Sequence, residues 1–100
     1  MAPASKETGP RALTVKLDYE HPPRHGPTKL DFENIVRSAY TFILGQTMPP
    51  YEIQGFDSHS RTGTIILDAR DLHRGWAALS MYGKHFGDKI SLTMSSVREQ

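Results

Sequence analysis

Thr62-Gly63-Thr64-Ile65-Ile66-Leu67-Asp68-Ala69-Arg70-Asp71-Leu72-His73-Arg74-Gly75-Trp76-Ala77-Ala78-Leu79 decides the fold, because its periodicity changes partway along. The β-branched run Thr64-Ile65-Ile66 favours a strand over residues 62–69. After Asp71, the residues Leu72, Trp76 and Leu79 recur at i, i+4 and i+7, which predicts an amphipathic helix that Gly83 can close. Asp71 is placed to cap its start, or Asp68 if the helix begins a turn earlier. Gly75 is the expected weak point, since a glycine costs about 1 kcal/mol inside a helix.

Upstream, Tyr51 to Phe56 is a second strand candidate, weakened by Gly55. The turn-like Asp57-Ser58-His59-Ser60-Arg61 joins it to the first as a hairpin with a longer loop. Further back, Thr28 and Asp31 match a capping box. Ile35, Val36, Ala39, Phe42 and Ile43 then form one helical stripe, and Gly45 with Pro49-Pro50 ends it, giving a helix from Leu30 to Leu44. Before it, the three prolines and the glycine of residues 21–27 disfavour helix and ladder alike. Leu13, Val15, Leu17 and Tyr19 alternate with Thr14, Lys16 and Asp18, a half-buried strand. Residues 1–10 read as a flexible N-terminal arm. Downstream, Gly83-Lys84-His85-Phe86-Gly87-Asp88-Lys89 is a basic loop. Ile90, Leu92 and Met94 alternate in a last strand, and residues 98–100 form a charged tail.

Strand, helix, strand, strand, helix, strand predicts one α+β domain over residues 11–97, of ferredoxin-like βαββαβ order. Right-handed crossovers would put both helices on one face of a four-stranded antiparallel sheet. Phe42, Ile43, Trp76 and Leu79 are expected to meet Val15, Leu17, Ile65 and Leu92 there. The other face would carry Thr14, Lys16, Thr64, Ile66, Ser91 and Thr93.

Composition narrows the function classes. One hundred residues suit one core, not two. The chain has no cysteine, which excludes disulfides and thiolate metal sites. Its opening residues lack the apolar stretch of a signal peptide, and no apolar run nears the roughly 18 residues of a membrane span. Cytoplasm or nucleus is the default. A net charge of +1 with a pI near 8.1 is a small basic excess for a protein living on phosphate contacts. Nucleic-acid contact would then need a local patch or a supporting place in an assembly.

Catalytic motifs are missing. His21 and His25 have a helical metal-ligand spacing, but the prolines between them argue against a helix. Around His59 there is no nucleophile elbow, and Gly83 and Gly87 do not open a phosphate-cradling loop. Asp68 and Asp71 are explained by helix capping. Arg61-Thr62-Gly63-Thr64-Ile65-Ile66-Leu67-Asp68 carries the Arg and Gly of an RNA-recognition strand while leaving every aromatic position empty, so base stacking on the sheet is not expected. Arg61, Arg70, Arg74, Lys84, His85 and Lys89 remain as either a solvated face or a modest phosphate-contacting patch.

Three features together suggest a family: the strand Gly63-Thr64-Ile65-Ile66-Leu67, the helix element Trp76-Ala77-Ala78-Leu79-Ser80, and Gly83-Lys84-His85 before the last strand. With Ser38-Ala39 and Gly45 of the first helix, the chain from about residue 11 to 97 resembles the small ferredoxin-like protein subunits of eukaryotic ribonuclease P and ribonuclease MRP. The resemblance implies a non-catalytic subunit in an enzyme whose RNA holds the metal ions and does the cleavage. It implies support of precursor-tRNA and rRNA processing, nuclear and nucleolar location, and no cofactor or metal of its own. The implied partners are other protein subunits, including a paired ferredoxin-like one, and the ribonuclease RNA, contacted directly or indirectly. On position and charge, Lys84, His85 and Lys89 are the expected RNA or partner contacts, followed by Arg70 and Arg74. A generic ferredoxin-like interaction module is the alternative. A small acyl-phosphate hydrolase is a further one, with Arg24 near the place of its anion-binding Arg but Pro22-Pro23 and the missing glycine cradle against it.

Overall fold

The computed structural model describes residues 9–22, 24 and 26–99. The chain alternates strands and helices in an α+β arrangement: β1 (Pro10–Tyr19), α1 (Lys29–Leu44), β2 (Tyr51–Asp57), β3 (Thr62–Asp68), α2 (Leu72–Met81), β4 (Lys84–His85) and β5 (Asp88–Glu99). All strand pairs are antiparallel, and the sheet order is β2-β3-β1-β5-β4. No helix among the described residues is long and apolar enough to cross a membrane.

Both helices cover one face, because alternate residues of the central strands supply the apolar floor. Leu13, Val15 and Leu17 of β1, Ile65 and Leu67 of β3, and Ile90 and Leu92 of β5 are buried with Phe32, Ile35, Val36, Ala39 and Tyr40 of α1 and Ala78 and Leu79 of α2. Each fully buried large aliphatic side chain stabilises by roughly 1.5–3 kcal/mol. The opposite face carries Thr14, Lys16, Thr64, Ile66, Ser91 and Thr93, as the alternation predicts, and no aromatic residue among the described ones. The capping box of α1 forms as expected: Asp31 N–H donates to the Thr28 hydroxyl at 3.2 Å, and Thr28 N–H donates to the Asp31 carboxylate at 3.0 Å. Gly45, at a φ of 58°, ends the helix.

Several expectations need correction. The sheet has five strands, not four, because Lys84-His85 pairs with Asp88-Lys89 instead of forming a loop. Pro10 lies in β1 and Glu99 in β5, so the ladder runs past both expected ends; the rest of the expected arm, residues 1–8, lies outside the described residues. Phe42 is not in the core but 81% exposed: Phe32 and Tyr40 swing the buried stripe of α1 round, leaving Phe42 at its edge. Trp76 is 38% exposed, because Gly75, Ala78 and Leu79 are the residues that face the sheet.

Gly75 is a requirement of the packing, not a defect. A Cβ there would lie 2.6 Å from Leu67 Cδ1 and 3.0 Å from the Tyr40 hydroxyl, so α2 can approach β3 only at a residue without one. Gly63 has the same role beneath the stacked Phe32–Phe56 rings, where a Cβ would meet Phe32 at 2.5 Å. Gly55 follows a bulge that shifts the β2–β3 register, so it marks an irregularity in a real strand. The Asp71 side chain makes no capping bond; Asp68 accepts from Arg70 N–H at 2.9 Å and caps a 3-10 turn over Ala69–Asp71 that leads into α2.

Candidate functional site

The five cationic candidates fall at two ends of the sheet. Asp68, next to Arg70, pairs with Pro10 at the start of β1, whereas Ile90, next to Lys89, pairs with Tyr19 at its end. Nine steps along a strand separate these ends by roughly 30 Å. Arg70 and Arg74 therefore do not join Lys84, His85 and Lys89 in one patch.

At the first end the arginines are occupied. Arg74 donates to the Thr47 carbonyl at 2.7 Å and to the Asp71 carboxylate at 2.9 Å, tying α2 to the turn after α1. Arg70 meets Asp68 at 3.2 Å, and its backbone N–H holds the Asp68 carboxyl below its ordinary pKa. The two residues do not share a helix face, since Arg70 lies in the 3-10 turn before α2. Arg61, also in the basic inventory, lies toward the opposite end of β1 beside Leu17, where it pairs with Asp18 at 3.0 Å. A cleft of about 490 Å³ opens at the first end, and Glu52, Asp68 and Asp71 outnumber Arg70 in its walls.

The other end is built differently. Phe86 and Gly87 link β4 to β5 with φ of 49° and 88°, the sign pattern of a type I′ hairpin turn. Gly87 suits this, but Phe86 does not: a side chain in the left-handed region costs roughly 1–2 kcal/mol. Phe86 is nevertheless 91% exposed, touching the edge of the His85 ring at a centroid distance of 4.5 Å. Lys84 stands directly opposite Lys89 in the ladder, an unfavourable like-charge pairing. Among the described residues neither lysine forms a salt bridge.

His85 is half-buried, and its Nδ1 lies 2.8 Å from the Tyr82 hydroxyl. Burial lowers its pKa, outweighing the upward pull of Asp31 and Asp88. In the neutral ring either tautomer can share a proton between Nδ1 and the Tyr82 hydroxyl, and this bond holds the hairpin against the end of α2.

Between this hairpin and α1 runs a cleft of about 480 Å³, lined by Arg37, Ser38, Thr41, Phe42, Tyr82, Lys84 and Phe86. Sequence reasoning found Lys84 but missed Phe42, assigned to the core, and Phe86, placed in a loop. The available signal was Phe-Gly set between Lys-His and Asp-Lys, a two-residue turn flanked by charges. Of the other sequence candidates, Arg24 and His59 are exposed, and His25, the second residue of the His21–His25 spacing, lies outside the described residues. Among the described residues no group of three or more His, Asp or Glu side chains is arranged to hold a metal ion.

The chain matches no protein-family model and no curated protein.

Proposed function

We propose that this chain is a non-catalytic protein subunit of a ribonuclease P or ribonuclease MRP ribonucleoprotein, with a ferredoxin-like βαββαβ domain whose two-residue strand β4 is an addition. In this role it supports precursor-tRNA and rRNA processing in the nucleus and nucleolus, paired with other subunits and stabilising the RNA.

The observation that carries the proposal is the strand order β2-β3-β1-β5, with Trp76-Ala77-Ala78-Leu79-Ser80 on the helix that leads into a lysine-bearing hairpin. That is the sequence order on which the resemblance rests, now joined to an exposed cationic element. Leu30, Phe42, Met81 and Phe86 stay exposed, which suits a protein that works with partners. An affinity purification of the tagged chain from its own cells, with RNA sequencing and protein identification, tests the proposal. Recovery of a ribonuclease P or MRP RNA, together with precursor-tRNA cleavage by the eluate, is expected. Recovery of proteins without that RNA would overturn it in favour of a generic interaction module.

A further inference from the structure

We propose that the cleft between α1 and the β4–β5 hairpin binds single-stranded RNA, with unpaired bases stacked on Phe42 and Phe86 and phosphates held by Arg37 and Lys84. This deepens the ribonucleoprotein proposal and depends on it only for which RNA is bound.

Three observations carry the inference. The first is the chemistry of the walls: three aromatic rings, two cations and the hydroxyl-bearing Ser38 and Thr41, with no aliphatic side chain and no carboxylate. A groove for an amphipathic protein helix presents aliphatic pockets to the anchors of that helix. Rings and cations together are what a single strand needs, because every base has a face to stack and every nucleotide a phosphate. Hydroxyl groups give a ribose 2′-hydroxyl hydrogen-bond partners.

The second is charge. Arg37 and Lys84 line the cleft without an ion pair among the described residues, and Lys89 stands across the ladder from Lys84. Arg37 bonds only the neutral side chain of Asn34. An anion between these groups would relieve the repulsion of the two lysines. The third is strain: Phe86 holds a left-handed backbone with its ring 91% exposed, and an edge contact with His85 is all that the isolated chain gains from a ring where glycine would carry no strain. Phe42, 81% exposed on the facing helix, is the second ring left without a cover.

The test uses the full chain and a fluorescein-labelled oligouridylate of about eight nucleotides, within the usual site sizes of single-strand grooves. Anisotropy at low salt should show binding, with the same length of RNA duplex competing poorly. Phe86→Gly and Phe42→Ala should each weaken binding roughly tenfold, as loss of one stacked base does. Neither should lower the unfolding midpoint, and Phe86→Trp should restore binding. Lys84→Ala should weaken binding and flatten its log–log salt dependence by about 0.7, one phosphate contact on a single strand.

No binding at about 100 µM protein, beyond ordinary non-specific affinity, overturns the inference. Binding indifferent to both rings does the same, as does a glutamate-rich helical peptide occupying the cleft where RNA does not. The two proposals also fail separately. Ribonuclease RNA in the pull-down with ring-independent oligonucleotide binding would remove the cleft assignment alone. Ring-dependent binding without that RNA would remove the assembly alone.

Discussion

Two clefts of nearly equal volume, about 490 and 480 Å³, lie at opposite ends of this domain and differ in the chemistry of their walls. At the first end the cations are tied into the packing. Gly75 brings α2 down onto Leu67 and Tyr40, Arg74 ties it to Thr47, and three carboxylates dominate the walls. The second is open. A strained hairpin exhibits Phe86, Lys84 faces Lys89, and the lining holds only cations, rings and hydroxyls. Counting basic residues along the chain treats the two ends as equals. The difference teaches that a cation's availability is set by its partners, which belong to other segments.

If the first end is the structural one, substitutions there should lower stability, whereas those at the hairpin should not. Gly75→Ala should have the largest effect. Alanine regains about 1 kcal/mol of helix propensity, but a Cβ pressed on Leu67 and Tyr40 overpacks by up to about 3 kcal/mol, for a net loss of about 2 kcal/mol. Urea denaturation measures it, and a gain in stability would show that α2 is free to move off the sheet. Arg74→Ala should cost about 1 kcal/mol by removing the hydrogen bond that ties α2 to the turn after α1 and the local one to Asp71. The same titration reads it, and no change would make the two ends alike.

Phe86→Gly should go the other way. Relief of a left-handed side chain, set against the added freedom of glycine in the unfolded chain and the lost edge contact with His85, leaves a small gain, at most about 0.5 kcal/mol. A rise in the thermal midpoint alongside weaker RNA binding would separate stability from function at this residue. A fall would mean that the ring supports the fold.

The smallest effect concerns pH. Burial depresses the His85 pKa in the folded chain, so the unfolded chain binds the proton more readily. The neutral ring's contribution is present above the ordinary histidine pKa of about 6.5 and is lost as pH falls through the folded value. Stability measured against pH should therefore drop less steeply below 6.5 in His85→Asn than in the parent chain. Identical slopes would place His85 outside the energetics of the hairpin.

Much of the architecture was legible in the sequence for local reasons. Thr28 and Asp31 satisfy each other within one turn, and the alternation of β1 and β5 is a property of adjacent residues. The hairpin end was only half legible. Lys84, His85 and Lys89 could be picked out by charge, but Phe42 and Phe86 could not be picked out as exposed rings. A phenylalanine near an apolar stripe predicts burial, and Phe86 is a poor sequence signal for the turn it occupies.

The sequence by itself determined the order of the elements apart from β4, the capped start and glycine end of α1, and the polar character of the open sheet face. Each depends on contacts within a few residues or on a period of two or 3.6. Tertiary structure alone decided that Gly75 and Gly63 are close-approach sites and that Arg74 is committed to Thr47. It also placed Phe42 across a cleft from Phe86. Those outcomes depend on how segments tens of residues apart in the chain meet, and no local period encodes that distance.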